Sequence, residues 1–249
     1  MIRLLRSELL RIRSRRLVWI LALLALAGIL LAVTIAAAKS HPSSGALLVS
    51  DRSFPVAHIP DVLRGTAFIM IVIGLVIGSS STGADWQTGS MTTLLTWEPR
   101  RTRVLLARTA AVVATVVALI LALSLILSGL LWLVAATRGT TVGAGSTLFQ
   151  HVVGLIVRVA IMAGLAAILG LSISMIGRGT AASLGVIFVY LAILETLFRS
   201  LIPTVTPYLF ATNTVVFVDG HAGSPATATL ITMTRATITV FVYGVALLV

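Results

Sequence analysis

Long apolar runs dominate the chain, and short polar stretches separate them. Runs over about 17–38, 62–82, 104–136, 151–176, 181–198 and 226–249 are apolar enough to be read as helices crossing a bilayer. The fifth is short for a crossing, and the third is over-long, which permits tilt or an extension beyond the lipid. No soluble domain fits between them. Residues 1–249 are therefore expected to form one transmembrane domain, an all-α integral membrane protein with six transmembrane helices. The first run ends in "AAA" at 36–38, like a signal-peptide cleavage site, but its apolar part is too long for one and reads as an anchor.

The stretches outside the runs have patterns of their own. In residues 1–16, Ile2, Leu5, Leu9 and Ile12 share one arc of a helix, with Arg3, Ser7, Arg11 and Arg15 largely opposite. Two readings fit: a helix lying in the headgroup plane, or a basic flank that stops the first span sliding. Residues 196–225 hold the apolar patches "LFRSLI" and "YLFATNTVVFV", split by Pro203 and Pro207, each too short to span and too greasy for a solvated linker. A re-entrant segment dipping into the membrane fits this pattern, and so does a loop folded over the outer mouth. Residues 39–61 read as an exposed loop.

Composition narrows the class. With 58% hydrophobic and 10% charged residues and a mean hydropathy of +1.11, a water-soluble globule is excluded. A net charge of +11 would suggest nucleic acid in a soluble protein. Here the arginines flank apolar runs, where they set topology and meet anionic lipid, so the bilayer is the expected partner and nucleic acid is not. With the N-terminus inside, eleven basic residues fall on inner flanks and five on outer ones. The N-terminus is expected to be cytoplasmic, in a multi-pass protein of the plasma membrane.

Most catalytic chemistry is missing from the sequence. There is no cysteine, hence no disulfide, thiolate nucleophile or cysteine metal site. The only lysine is Lys39, so no lysine-bearing phosphate loop exists, and His41, His58, His151 and His221 form no H-E-x-x-H pair. No catalytic, cofactor-binding or metal-ligating residue is expected. Charges at membrane depth are few: Arg158, Glu195 and Arg235, with Arg199 close by. They either snorkel to the outer interface or line a translocation path or outer gate. Gly74 with Gly78, and Ala160 with Gly164, are small pairs suited to close helix packing or a dimer seam.

The most varied chemistry lies in residues 83–103, "GADWQTGSMTTLLTWEPRRTR". Met91, Leu94 and Leu95 fall at i, i+3 and i+4; Thr88 or Ser90 can cap a helix there, and Pro99 cannot continue it. The expectation is a short amphipathic helix on the cytoplasmic side with Trp86 and Trp97 at its ends. As a membrane-surface helix, its tryptophans and arginines are explained by interfacial anchoring. Asp85, Glu98 and Gly89 suit a helix that docks in a protein groove.

The order of an acid (Asp85), "TGS" (88–90), "LL" (94–95), "EPRRTR" (98–103) and a helix beginning "VLLAR" resembles the first cytoplasmic loop of ABC-transporter permeases of the ABC-2 class. Gly89 takes the place of that pattern's glycine, Pro99 that of its proline and Arg108 that of its last basic residue; Ser90 and Arg108 stand where threonine and lysine are more usual. The resemblance implies a permease that pairs with a second, identical or homologous, permease copy and docks two copies of a separate ABC ATPase. It implies an ATP-driven transporter, with export of a hydrophobic or amphipathic compound expected, in a bacterial membrane. ATP and Mg would be bound by the ATPase and not by this chain. The coupling residues it points to are Asp85, Trp86, Gly89, Ser90, Met91, Leu94, Leu95, Trp97, Glu98, Pro99, Arg101 and Arg103. Two other classes stay open: a membrane assembly protein without transport, and an ion-coupled secondary transporter.

Overall fold

The computed structural model describes residues 2–39, 54–89, 101–138 and 144–219, with residues 238, 239 and 242. The described residues are helical throughout their elements, without strands. A short helix α1 (Ile2–Arg13) breaks at Ser14 and leads into α2 (Arg16–Lys39). Then follow α3 (Ile59–Gln87), α4 (Arg101–Arg138) and α5 (Ser146–Ile176). The last described stretch comprises α6 (Thr180–Val189), a π-helical turn (Tyr190–Leu194), α7 (Glu195–Leu201), a 3-10 turn (Pro203–Tyr208) and α8 (Phe210–Asp219).

Among the described residues, five helical stretches are long and apolar enough to cross a membrane, ending with Thr180–Leu201. They correspond to the first five expected spans. The sixth, 226–249, lies outside the described residues apart from positions 238, 239 and 242, and residues 90–100 lie outside them too.

The bundle is built on the packing of α3 against α5, its broadest contact. Glycine makes that approach possible. A side-chain carbon on Gly74 or Gly78 would collide with the carbonyls of Ala163 or Ala167, and one on Gly170 with that of Leu75. The Gly74/Gly78 pair is thus used within the chain, giving backbone-to-backbone contact where lipid supplies no hydrophobic drive for helices to associate. Gly164 faces α4 instead, against Val113 and Val117. One continuous core runs from Ile12 and Ile29 through Ile77, Ile120 and Met162 to Phe217. By contrast α2 is almost unburied, with Trp19, Leu23, Leu24, Leu30 and Leu31 outward, as a lipid-facing helix requires.

Several expected boundaries are corrected. The second span, expected at 62–82, runs as α3 from Ile59 to Gln87. The polar stretch from Ser79 to Asp85 ends the hydropathic run but not the helix, because Ser80 and Ser81 return their hydroxyls to the Ile77 and Gly78 carbonyls and arginines neutralise Asp85. The fourth span begins at Ser146, five residues before the expected 151. Arg158 is therefore twelve residues in, about 18 Å at 1.5 Å per residue. Residues 39–61, expected as loop, include a 3-10 turn at Val56–His58 and the start of α3.

The segment from Thr196 to Asp219 folds back along α3. Phe210 and Leu75 border the same two apolar hollows, of about 220 and 370 Å3, while Asp219 reaches Arg64. Arg64 and Leu75 are eleven residues apart on α3, about 16 Å. Thus α8 lies beside α3 over that depth and not across its end.

Candidate functional site

The starts of α2, α4 and α6 and the ends of α3 and α5 gather at one end of the bundle, and its charges converge on Asp85. That carboxylate is 4% exposed. Its Oδ1 accepts hydrogen bonds from Arg11 Nη2 at 2.7 Å and Arg15 Nη2 at 2.8 Å, and its Oδ2 one from Arg108 Nη2 at 2.5 Å. Arg15 also donates to the carbonyls of Ser80 and Ser81, at 2.7 and 3.1 Å. Glu8, itself buried, adds a second carboxylate 3.6 Å from Arg108 and 3.8 Å from Arg11. Three guanidiniums face two carboxylates, so charge nearly balances, as burial demands. The cluster ties α1, α3 and α4 together through residues up to 100 positions apart in sequence.

This corrects the expected orientation of α1. Arg11 and Arg15 were placed opposite the apolar stripe, yet they turn into the bundle with Glu8 and Ile12, while Leu10 is exposed. The apolar arc keeps its place, with Ile12 buried and Leu9 packed on the core, and Asp85, 70 or more residues downstream, engages Arg11 and Arg15 beside it. Part of the signal was present in the i, i+3, i+4 spacing of Glu8, Arg11 and Ile12; Arg15 lies past the break at Ser14.

From this joint the chain leads to residues 90–100. Trp86 belongs to the last full turn of α3, not to a separate short helix, and the Arg178 guanidinium lies 5.5 Å from its ring centroid. The Thr88 hydroxyl, expected to cap a following helix, donates back to the Ala84 carbonyl at 3.1 Å and so closes α3. Gly89 then turns with φ +69°, the left-handed region open to glycine. Ser90, Met91, Leu94, Leu95, Trp97, Glu98 and Pro99 lie outside the described residues, and Arg101 and Arg103 open α4.

Deeper in the bundle, near the level of Leu75, Glu195 is 1% exposed and caps α8. Its carboxylate accepts from the backbone N–H of Ala211 (3.1 Å) and of Thr212 (3.0 Å), placing a negative charge on the helix's positive end. Arg199 lies 3.8 Å from Glu195 and donates to the Thr212 hydroxyl. The far end of α8 is held by Arg64, 3.6 Å from Asp219 and also paired with Asp61 at 3.0 Å and His151 at 3.2 Å. Of the candidates for a path or gate, Glu195 and Arg199 therefore act together on α8. Arg158 is half-buried on α5, separate from them, and Arg235 lies outside the described residues. Among the described residues, no three of His, Asp and Glu are placed to hold a metal ion.

The sequence reading found Asp85, Arg108 and Glu195 but not what they bind; it put Arg15 only on the polar face of residues 1–16 and did not single out Glu8 or Gly83. The first and last positions of the loop pattern, Asp85 and Arg108, are joined directly.

The family model described as ABC-2 family transporter protein matches residues 4–194. That span takes in α1 to α5, α6 and the π-turn, and with them the whole Asp85 cluster. No curated protein matches the chain.

Proposed function

Because the chain belongs to the ABC-2 family of transporter proteins, a family of transmembrane transporter subunits, we propose that it forms the membrane path of an ATP-driven exporter for a hydrophobic or amphipathic compound. Separate ATPase subunits, two per assembly, bind ATP and Mg and grip residues 90–100 from the cytoplasm. A second permease copy completes the path. The protein itself is non-catalytic.

The observation that carries this proposal is the Asp85 joint at the base of the loop. A loop that only decorated the membrane surface would need no buried anchor. Here the helix feeding it is tied by ion pairs to α1 and to the helix that leaves it, so force applied to the loop reaches three elements at once. Met91, Leu94, Leu95 and Trp97 serve as apolar anchors in the ATPase groove, and Glu98, Arg101 and Arg103 set register by charge. The role of Asp85 shifts in this proposal: engaged inside the chain, it fixes the loop's base. The basic end of the bundle is then cytoplasmic, in keeping with the excess of arginines there, and α8 is a re-entrant helix on the outer side.

An ion-coupled transporter needs an acid at membrane depth that can exchange its ion. Glu195 is committed instead to the α8 backbone. Isolation of the tagged chain with its ATPase, followed by ATP-dependent export from vesicles, tests the proposal; a chain that purifies without an ATPase supports an assembly role instead.

A further inference from the structure

Next to the Asp85 joint, α3 meets the turn between α5 and α6 backbone to backbone. Gly83 lies so close to Thr180 that a side-chain carbon there would collide with the Thr180 nitrogen, Cα and hydroxyl. One turn further along α3, Arg178 covers the Trp86 ring. Arg178 sits at φ +49°, a left-handed conformation that suits glycine. Both its neighbours are glycines, yet Gly177 and Gly179 have φ −77° and −171°. An arginine therefore occupies the one position of Gly177–Arg178–Gly179 where glycine would be favoured, and its side chain is used to grip Trp86.

What this turn holds is a strut. The only buried residues of α6 are Ser183 and Ile187, and the π-turn after it has none. At its far end the strut reaches Glu195, the buried cap of α8. One weakly embedded element thus links the base of the loop to the inner end of α8, held at one end by Gly83 and Trp86 and at the other by the Glu195 cap.

We propose that Gly83 and Arg178 are positioning residues that hold the first turn of α6 against the last turn of α3, so that a push on the 90–100 loop travels along α6 to Glu195 and moves α8. The proposal rests on the reading that this loop docks an ATPase.

The chain lacks cysteine, so a single Val215→Cys on the exposed face of α8 can carry an environment-sensitive bimane in the complex with its ATPase, reconstituted in liposomes. The expected result is a bimane emission shift on adding ATP and vanadate. That shift is lost in Arg178→Gly and kept in Arg178→Lys, with equal ATPase recovery and ATP hydrolysis in all three. Gly relieves the backbone at position 178, so a merely structural turn would tolerate it. An unchanged shift in Arg178→Gly overturns the proposal. If no ATPase accompanies the unsubstituted chain, the docking reading falls, and this inference with it.

Discussion

Arg15 and Asp85, 70 positions apart in sequence, meet at 2.8 Å at the end of the bundle where the chain begins. Arg15 also donates to two α3 carbonyls, so the first helix is fastened to backbone as well as to charge. The base of the loop after α3 is therefore fastened to two other elements.

Removing one partner from a buried ion cluster leaves uncompensated charge, at a cost of about 3–5 kcal/mol. Asp85→Ala takes from Arg108, which is 2% exposed, and from Arg15 their shortest ion pairs, leaving Glu8 as the cluster's remaining carboxylate, and is expected to lower the thermal midpoint of the detergent-purified chain sharply. Asp85→Leu combined with Arg108→Met removes both charges and should recover part of the loss. Arg11→Ala should matter least, because Arg11 is the most exposed of the three arginines. Tryptophan-fluorescence melts check the order.

Close approach of α3 to α5 depends on Gly78. Gly78→Ala forces its new carbon onto the Ala167 carbonyl, and overpacking of this kind costs about 1–3 kcal/mol. Gly129→Ala, where nothing lies within 4 Å, serves as the control and should leave stability unchanged. Size-exclusion recovery and melting of the two variants are the measurement.

The spans could be read from the sequence because lipid as a solvent demands long apolar helices, and that demand is local. Partners distant in sequence could not be read this way. Hydropathy ended the second span at Thr82, whereas α3 continues to Gln87 because arginines from α1 and α4 neutralise Asp85. The apolar arc of α1 put Arg11 and Arg15 on the polar side; Leu9 and Ile12 do pack on the core, and the same distant carboxylate engages the two arginines beside them. Glu195 stood out as an acid at membrane depth, but its use as a helix cap depends on a fold-back around Pro203 and Pro207 that no periodicity encodes.

Loss of the Glu195 cap should loosen α8 alone. Glu195→Ala leaves the Ala211 and Thr212 N–H groups without their acceptor, at a cost of about 1–3 kcal/mol. Hydrogen exchange over 210–219 is expected to accelerate while 160–170 stays protected. Glu195→Gln keeps one acceptor and should fall between the two.

The most direct test of the docking loop is recovery of the ATPase with an affinity-tagged chain from its native membranes. Truncating a buried aromatic anchor costs about 2 kcal/mol or more, some 30-fold in affinity, and placing a charge there costs more. The unsubstituted chain is expected to bring the ATPase with it, and Leu95→Glu and Trp97→Glu to lose it at equal yield of the membrane subunit. Undiminished ATPase in both variants would contradict the assignment.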